Sequence, residues 1–309
     1  MTPGHRGRGA RLLAGLFAAG LLLAVATPAV AIVDGGAADE CAALVGETAS
    51  GARGYKDASG LVREPILPAT MKEVPARAQN RGGQGFDVTI HVYWHIVTDG
   101  DAGAVSTGTL AQQMRALDRG FGGGEGGFDT GFSFSLADVD VTDNAAWYAA
   151  GPGSAAEAEM KQALKQGDAN DLNVYSTSGN AYLGWAYFPD IVGTEAEYLD
   201  GVVIDYRSMP GGEYGSAFSL GDTLVHEAGH WLGLYHTFDG ACRADGDLVA
   251  DTPAERTPTA GCPEGKDTCP KPGLDPIHNY MDYSFDSCYT EFTPGQATRM
   301  QDQFLFFRS

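Results

Sequence analysis

The sequence is poor in cationic side chains. Its 309 residues include 20 Lys and Arg against 40 Asp and Glu, so that the formal net charge is −20 at pH 7. Nucleic acids and anionic membrane surfaces both select for clusters of Lys and Arg. The shortage of such residues argues against either as a partner. Hydrophobic residues still make up 43% of the chain, which is enough to build a buried core.

The chain also lacks internal repeats and, after its first residues, any second apolar run of the roughly 20 residues that cross a bilayer. The one long apolar stretch, residues 12–26, follows three arginines and precedes an Ala-Val-Ala sequence at 29–31. A basic start, an apolar stretch and a small-residue cleavage site are the parts of a secretory signal peptide. We therefore predict a cleaved signal over residues 1–31 and a secreted, extracellular protein with no membrane association after cleavage.

Residues 32–85 are rich in Gly, Ala, Pro and Arg and show no sustained apolar periodicity. Pro65, Pro68 and Pro75 interrupt any long helix or strand. Two interpretations fit this composition. The segment is either a flexible N-terminal linker or a pro-segment that is removed on activation, and the arginines at 77 and 81 offer a protease a place to cut.

From residue 86 onwards the hydrophobic pattern predicts ordered elements. Alternating or short apolar runs predict four strands, at residues 88–97, 132–141, 172–175 and 202–206. Apolar residues at helical spacing predict three helices, at residues 110–121, 154–166 and 220–234. A capping box at Thr293, Pro294 and Gln296 begins a last helix. The pattern predicts an α+β fold, a mixed sheet with helices packed on it, around a loop-rich section at 239–292.

The stretch from His226 to His236 carries the strongest chemical signal. His226 and His230 are four residues apart, so that on a helix both imidazoles project from one face and can bind the same ion. Glu227 can reach a metal-bound water without binding the metal. Gly233 lets the chain leave the helix and bring His236 back as a third ligand. Three protein ligands leave one position for water, which is typical of a catalytic zinc site.

This pattern is the metzincin signature, whose second element is a methionine-containing turn beneath the metal. The sequence Asn-Tyr-Met-Asp-Tyr at 279–283 supplies such a turn, with Met281 as an apolar floor under the histidines. Tyr283 lies where several metzincins carry a tyrosine near the metal, which makes it a candidate catalytic residue. The alternatives are ordinary core packing for Met281 and a structural role for Tyr283.

Further motifs narrow this resemblance, and they lie at residues 172–175, 183–186, 200–204, 210–212, 237–238, 246–247, 251–253, 261–263 and 291–293. Together they resemble the pappalysin family, particularly its compact microbial members, over residues 86–309. The resemblance implies a metzincin-like zinc endopeptidase with an upper subdomain of mixed sheet and helices and a loop-rich, disulfide-stapled lower subdomain. It also implies that Leu183, Gly184 and Trp185 bind substrate as an added β-strand.

Four of the five cysteines lie in the loop-rich section, where three pairings are possible. No C-x-x-C pair is present, which argues against a four-cysteine zinc knot. The resemblance implies the pairs Cys242–Cys269 and Cys262–Cys288. The fifth, Cys41, lies in the 32–85 segment. Since metzincin zymogens often use a pro-segment thiolate as fourth zinc ligand, Cys41 is a candidate switch, and an incidental unpaired cysteine is the alternative.

Acidic residues crowd the loop after the third histidine, namely Asp239, Asp245, Asp247, Asp251 and Glu255. Carboxylate oxygens are the ligands that Ca²⁺ prefers, and the family resemblance implies calcium here. We therefore predict a structural calcium site with Asp245, Asp247 and Asp251 as candidate ligands. A solvated acidic loop is the alternative, because the spacing is not that of an EF-hand.

The sequence therefore predicts a zinc endopeptidase that acts on protein or peptide substrates. Zinc would lower the pKa of its bound water to about 7. Glu227 would accept the proton of that water, and Tyr283 would help to stabilise the oxyanion. Two alternatives stay open. One is a non-catalytic extracellular binding module that keeps zinc for structure, although structure alone does not require Glu227. The other is a zinc amidase that acts on cell-wall peptides.

Overall fold

The computed structural model describes residues 64–65, 71–83, 85–243, 246–271 and 273–309. The predicted signal peptide at 1–31 and the candidate ligands Cys41 and Asp245 lie outside these described residues. The described part of the 32–85 segment contains one short 3₁₀ helix, Ala76–Ala78.

A five-stranded sheet forms the first half of the fold. Its strands are β1 (Val88–Thr98), β2 (Phe132–Asp143), β3 (Leu172–Thr177), β4 (Gly184–Ala186) and β5 (Val202–Asp205). The strands lie in the order β2-β1-β3-β5-β4, and only the β4–β5 pair is antiparallel. The sequence pattern predicted all of them except β4, which is too short for an alternating pattern to be recognised. The predicted α+β fold with a mixed sheet is confirmed.

Helices pack on this sheet and close the chain. The described residues form α1 (Thr107–Phe121), α2 (Ala145–Tyr148), α3 (Ala155–Leu164), α4 (Gly215–Phe218), α5 (Asp222–Trp231) and α6 (Pro294–Phe307). Further 3₁₀ turns lie at Gly179–Ala181, Pro189–Ile191, Glu197–Leu199, Tyr206–Ser208 and Asp286–Cys288. α6 begins with the predicted capping box, in which Thr293 and Gln296 satisfy each other's backbone N–H groups. Within the described ranges, no helix is both long enough and apolar enough to cross a membrane.

The helix α5 is enclosed by other elements of the described fold. All ten of its residues are buried, because it packs against α1 on one side and against β4 and β5 on another. It is shorter than the helix predicted at 220–234, since Gly233 adopts a φ of 95°, which is outside the helical range. This early end releases the chain directly after Trp231 and Leu232.

The section between α5 and α6 is built from loops, as its composition predicts. Between residues 232 and 293, the described residues contain a single 3₁₀ turn, Asp286–Cys288, and one isolated bridge from Asn279 to Glu291. Two disulfides, Cys242–Cys269 and Cys262–Cys288, tie these loops together. Such crosslinks compensate for a small apolar core, because they limit the entropy of the unfolded chain.

Candidate metal centre

Three imidazoles converge on one point above α5. His226 and His230 project from the same face of the helix, and their Nε2 atoms are 3.1 Å apart. His236 arrives on the loop that follows, with its Nε2 3.2 Å from that of His230. Two ligands that each lie about 2.0–2.1 Å from a tetrahedral zinc are roughly 3.3–3.4 Å apart. The three nitrogens are therefore spaced to share one ion, and all three rings are buried.

The other nitrogen of each ring faces an acceptor, which fixes the orientation of the imidazole. Backbone carbonyl oxygens face two of the rings, with Tyr280 O 2.6 Å from His226 Nδ1 and Leu234 O 2.7 Å from His230 Nδ1. A carboxylate faces the third ring, with Asp239 Oδ2 3.3 Å from His236 Nδ1. A neutral ring that donates from Nδ1 to such an acceptor has its Nε2 lone pair free for a metal. This arrangement is the one that a metal-binding histidine requires.

Two glycines make this geometry possible. The left-handed Gly233 reverses the chain, so that Leu234 N donates to Gly229 O at 2.9 Å and the Leu234 carbonyl comes beneath His230. Gly229 faces Met281, whose Sδ would lie 2.5 Å from any Cβ at that position. A side chain at 229 would therefore displace Met281, which is fully buried.

The carboxylate of Glu227 lies beside the histidines and next to the strand β4. It is 1% exposed, and its Oε2 has no hydrogen-bond partner among the described residues. Burial raises the pKa of Glu227 well above its ordinary value, and the charge of Glu64 raises it further. A buried carboxylate with an oxygen that has no partner is placed to take part in proton transfer.

Sequence reasoning missed one member of the cluster, Glu64. Its carboxylate lies between the imidazoles, with Oε1 3.2 Å from His226 Nε2 and Oε2 3.4 Å from His230 Nε2, and it also contacts His236 Nε2. Tyr283 Oη donates a hydrogen bond to Glu64 Oε1 at 2.8 Å. Together the four side chains Glu64, His226, His230 and His236 could hold one metal ion. No motif surrounds Glu64 in the sequence, so no local signal could have identified it.

Burial and charge set the protonation of this cluster. Burial alone would raise the pKa of Glu64, but His236 and His230 outweigh it and lower that pKa well below its ordinary value. Burial lowers the pKa of His226 to about 4, which leaves the ring neutral. Burial also raises the pKa of Tyr283, with a further contribution from Glu64, so that its hydroxyl stays a donor.

The predicted Met281 and Tyr283 both lie at the cluster. Met281 is fully buried, and its Sδ faces Gly229, the residue directly before His230. The ring of Tyr283 packs edge-on against His236, with centroids 5.1 Å apart, and against Phe238 at 4.9 Å. These contacts bring its hydroxyl to the inner side of the histidine cluster, where it meets Glu64.

The predicted substrate-binding residues form the edge of the sheet. β4 pairs with β5 on one side only, and its other edge has no strand partner among the described residues, although all three of its residues are buried. Gly184 faces Glu227, while Leu183 lines a cavity that His226 and Glu227 also line. Trp185 differs from the expectation, since its side chain is 1% exposed and its Nε1 donates to Glu157 Oε1 at 2.7 Å. The side chain of Trp185 is therefore already engaged, and only its backbone could pair with a peptide.

The candidate calcium ligands do not form a cluster in the part of the chain that is described. Asp251 accepts hydrogen bonds from Thr293 Oγ1 and Gly295 N, both at 2.8 Å, and so caps α6. Asp247 is buried, and its Oδ1 accepts from Val249 N at 3.1 Å. Neither belongs to a group of three side chains that could share an ion. Asp245 is outside the described residues, so calcium binding stays a prediction.

The donor set fits zinc. Imidazole nitrogens and carboxylate oxygens are ligands that Zn²⁺ takes in tetrahedral sites. The buried carboxylate oxygen of Glu227 without a partner adds a group that a purely structural site does not need. A second potential cluster, Cys262, His278 and Cys288, does not offer thiolates because its cysteines are joined in a disulfide.

Comparison with known proteins gives consistent similarities. The family model described as pregnancy-associated plasma protein-A matches residues 169–305, which include all three histidines. An extracellular metalloprotease of Pyricularia oryzae is 47% identical over 228 residues, or 72% of this chain and 77% of that protein. An extracellular metalloprotease of Colletotrichum graminicola is 43% identical over 244 residues, or 77% of this chain and 84% of that protein.

Two solved structures share the fold. Mature mirolysin of Tannerella forsythia, in complex with a cleaved peptide, has a TM-score of 0.59 and 28% identity, over 71% of this chain and 92% of that chain. A promirolysin mutant from the same organism has a TM-score of 0.62 and 26% identity, over 74% of this chain and 82% of that chain. Mirolysin is a metzincin, so the predicted metzincin-like fold is confirmed.

Proposed function

Because the chain belongs to the pappalysin family of metalloproteases, we propose that it is a secreted zinc endopeptidase that hydrolyses peptide bonds in protein substrates. The observation that carries this proposal is the convergence of three imidazole Nε2 atoms beside the buried carboxylate of Glu227. The ligands alone would serve a structural metal. A buried carboxylate placed next to them, with an unpartnered oxygen, is the element that turns a metal site into a hydrolytic one.

Each residue of the cluster has a distinct role in this proposal. His226, His230 and His236 would hold Zn²⁺, which would supply an acidified water and a Lewis acid for the scissile carbonyl. Glu227 accepts a proton from the attacking water at its carboxylate and delivers it to the leaving amine. Tyr283 donates its hydroxyl hydrogen to the carbonyl oxygen as negative charge develops there, and its raised pKa keeps that hydrogen in place.

The unpaired edge of β4 is the proposed substrate-binding strand. An extended peptide can pair with the backbone of residues 183–185, which places its scissile bond beside Glu227 because Gly184 lies against that carboxylate. Mature mirolysin, which is similar over most of its length, was solved with a cleaved peptide. Main-chain pairing of this kind favours extended protein substrates over the compact substrates of an amidase.

The domain organisation follows from the same reasoning. We propose that residues 1–31 act as a signal peptide, that residues 32–85 form a pro-segment, and that residues 86–309 are the catalytic domain. Similar proteins carry the name extracellular metalloprotease, which supports export. N-terminal sequencing of the secreted, active protein tests the assignment, since a mature start well before residue 85 would contradict the pro-segment.

We also propose a structural Ca²⁺ in the acidic loop at residues 239–255. The support is the acidic density of the loop together with the buried carboxylate of Asp247, whose pKa burial raises to about 7. A cation at this position would offset the cost of burying that charge. Asp251 has a smaller part in the proposal than the sequence suggested, because both of its oxygens already cap α6.

The experiment that tests the main proposal compares matured wild-type protein with Glu227→Gln. We expect wild type to digest casein and to lose this activity with 1,10-phenanthroline. The variant should bind zinc normally but cleave casein about a hundredfold to ten-thousandfold more slowly, which is the usual contribution of a general base. Glu159→Gln, an exposed residue of α3, is the matched control.

Three outcomes would contradict the proposal. Equal casein digestion by Glu227→Gln and wild type would remove Glu227 from the mechanism. Stoichiometric zinc without any hydrolysis of casein or of a peptide library would favour a binding module. Cleavage of cell-wall peptides with no cleavage of proteins would favour the amidase.

A further inference from the structure

Glu64 occupies the place that substrate and water must enter for hydrolysis. We propose that in the intact chain Glu64 is the fourth zinc ligand and keeps the enzyme latent until the segment that carries it is removed. This inference rests on the proposed function, because it requires zinc at the three histidines. It identifies a glutamate, rather than the predicted Cys41, as the residue that closes the site.

The first support is the position of the carboxylate. Glu64 is 2% exposed and its two oxygens face all three imidazole Nε2 atoms, at 3.2 Å from His226 and 3.4 Å from His230 and in contact with His236. A carboxylate oxygen is an ordinary ligand of zinc and completes a tetrahedron with three nitrogens. A fully bound site leaves no position for an attacking water.

The second support is that Glu64 also accepts the hydrogen bond of Tyr283, the proposed oxyanion donor. Tyr283 Oη donates to Glu64 Oε1 at 2.8 Å, so the hydroxyl that would stabilise the developing oxyanion already has an acceptor. The same carboxylate lines the cavity that Glu227 also lines. One side chain therefore engages the metal-binding histidines and the oxyanion donor together.

The third support is the anchoring of the residues that follow. Glu73 forms two hydrogen bonds with Arg299 of α6, at 2.8 and 2.9 Å, and Met71 N donates to Tyr235 Oη at 2.8 Å. The backbone N–H groups of Asn80 and Arg81 both donate to the carboxylate of Asp302, at 2.7 and 2.8 Å. These contacts attach the segment to the catalytic domain.

Anchoring of this kind keeps the Glu64 carboxylate at the histidines even if the carboxylate alone binds zinc weakly. Met71, Val74 and Ala78 are buried against the domain, so the segment has a packed interface as well as hydrogen bonds. Because the segment is covalently attached, binding of Glu64 is intramolecular and has a high effective concentration. Cutting the chain after residue 83 would turn the segment into a separate peptide and remove that advantage.

The test uses the full chain with Glu227→Gln, which prevents self-cleavage, loaded with Co²⁺ in place of zinc. Two readouts are measured: the visible absorption spectrum of the bound Co²⁺, and its affinity for acetohydroxamate, which needs a free coordination position. The variants are Glu64→Gln, Glu64→Asp, Cys41→Ser and the exposed control Glu159→Gln, each in the Glu227→Gln chain. Circular dichroism confirms that each variant is folded.

We expect Glu64→Gln to change the Co²⁺ spectrum and to tighten acetohydroxamate binding by about tenfold or more, since a site that is closed nine-tenths of the time loses that factor in apparent affinity. Glu64→Asp withdraws the carboxylate by one methylene and should move both readouts in the same direction. Cys41→Ser and Glu159→Gln should match the parent in both.

The outcomes separate the inference from the proposed function. If Co²⁺ binds stoichiometrically but neither Glu64 variant changes the spectrum or the affinity, the inference is wrong and the zinc site stands. A change with Cys41→Ser alone would assign latency to the cysteine and overturn the role of Glu64. If neither the Glu227→Gln parent nor its His236→Ala variant binds Co²⁺, the proposed zinc site fails and the inference fails with it.

Discussion

Gly184 lies against the carboxylate of Glu227. A Cβ built at position 184 would be 2.9 Å from both Cγ and Oε1 of that glutamate, and also 2.9 Å from the carbonyl oxygen of Val203. The backbone of Val203 cannot move easily, because it belongs to the central part of the sheet. Only glycine at 184 therefore allows the edge strand and the proposed general base to approach each other this closely.

We predict that Gly184→Ala displaces Glu227 and lowers activity without removing zinc. A misplacement of about 1 Å can cost a reaction up to about a hundredfold in rate. The measurement is kcat/KM on a quenched peptide, together with the zinc content of the same sample. Gly108→Ala is the matched control, because position 108 is exposed on α1 and its nearest side-chain atom would be 3.6 Å away. Full activity of Gly184→Ala would show that Glu227 is not held by this contact.

Gly233 gives a second prediction, since its φ of 95° is strained for any other residue. A Cβ there would also lie 2.6 Å from Cγ of Gln303. We expect Gly233→Ala to lower the free energy of unfolding by about 1–3 kcal/mol, the usual cost of a left-handed non-glycine residue. It should also weaken zinc binding, because the turn at Gly233 brings His236 to the other two histidines. Urea unfolding and chelator competition measure the two effects, and an unchanged zinc affinity would contradict the second.

The carboxylate of Asp239 contacts His236, the third histidine. Its Oδ2 accepts from His236 N at 3.1 Å and lies 3.3 Å from His236 Nδ1. We predict that Asp239→Asn weakens zinc binding by about tenfold to a hundredfold, which is typical for loss of a carboxylate that orients a metal-binding histidine. Competition with a chelator measures the zinc dissociation constant. The exposed Asp168→Asn is the control, and equal affinities for the two variants would rule out a supporting role for Asp239.

The sequence predicts well those features that depend on residues close together in the chain. The spacing of His226 and His230 determines one helical face, and the capping box at Thr293 needs only the next three residues. The alternation in β1 likewise predicts the burial of Ile90, Val92, Trp94 and Ile96, whereas the burial of His95, Val97 and Thr98 depends on what packs on the other face of the sheet. Each of these relationships is local, so that a pattern of a few residues contains all the physical information that is needed.

Glu64 is a residue that local sequence patterns do not identify as a ligand. It lies 162 residues from His226 along the chain, and a single glutamate in a proline-containing segment has no spacing that would indicate a ligand. The same holds for the predicted calcium ligands, because the number of acidic residues in a loop does not show which group each carboxylate contacts. Asp251 faces the N-terminus of α6, and Glu255 accepts hydrogen bonds from Thr237 and Thr259 and pairs with Lys266. Such contacts depend on the folded path of the chain.

Asp247 connects the acidic loop to a measurable pH dependence. Burial raises its pKa to about 7 in the folded protein, whereas an exposed aspartate has a pKa of about 3.9. Between roughly pH 4 and pH 7 the folded form retains a proton that the unfolded form has released, so this group lowers stability as the pH rises through that window. Asp247→Asn stays neutral at every pH and should lose this effect.

We therefore predict that, without Ca²⁺, Asp247→Asn melts at a higher temperature than wild type at pH 8 and that the difference shrinks towards pH 5. Added Ca²⁺ should raise the melting temperature of wild type at pH 8 and have a smaller effect on the variant, because a bound cation compensates the buried charge and the amide is a weaker ligand. Differential scanning fluorimetry at both pH values, with Asp168→Asn as control, measures these shifts. A difference that is constant with pH would exclude Asp247 as the titrating group, and identical shifts with Ca²⁺ in both proteins would exclude it as a ligand.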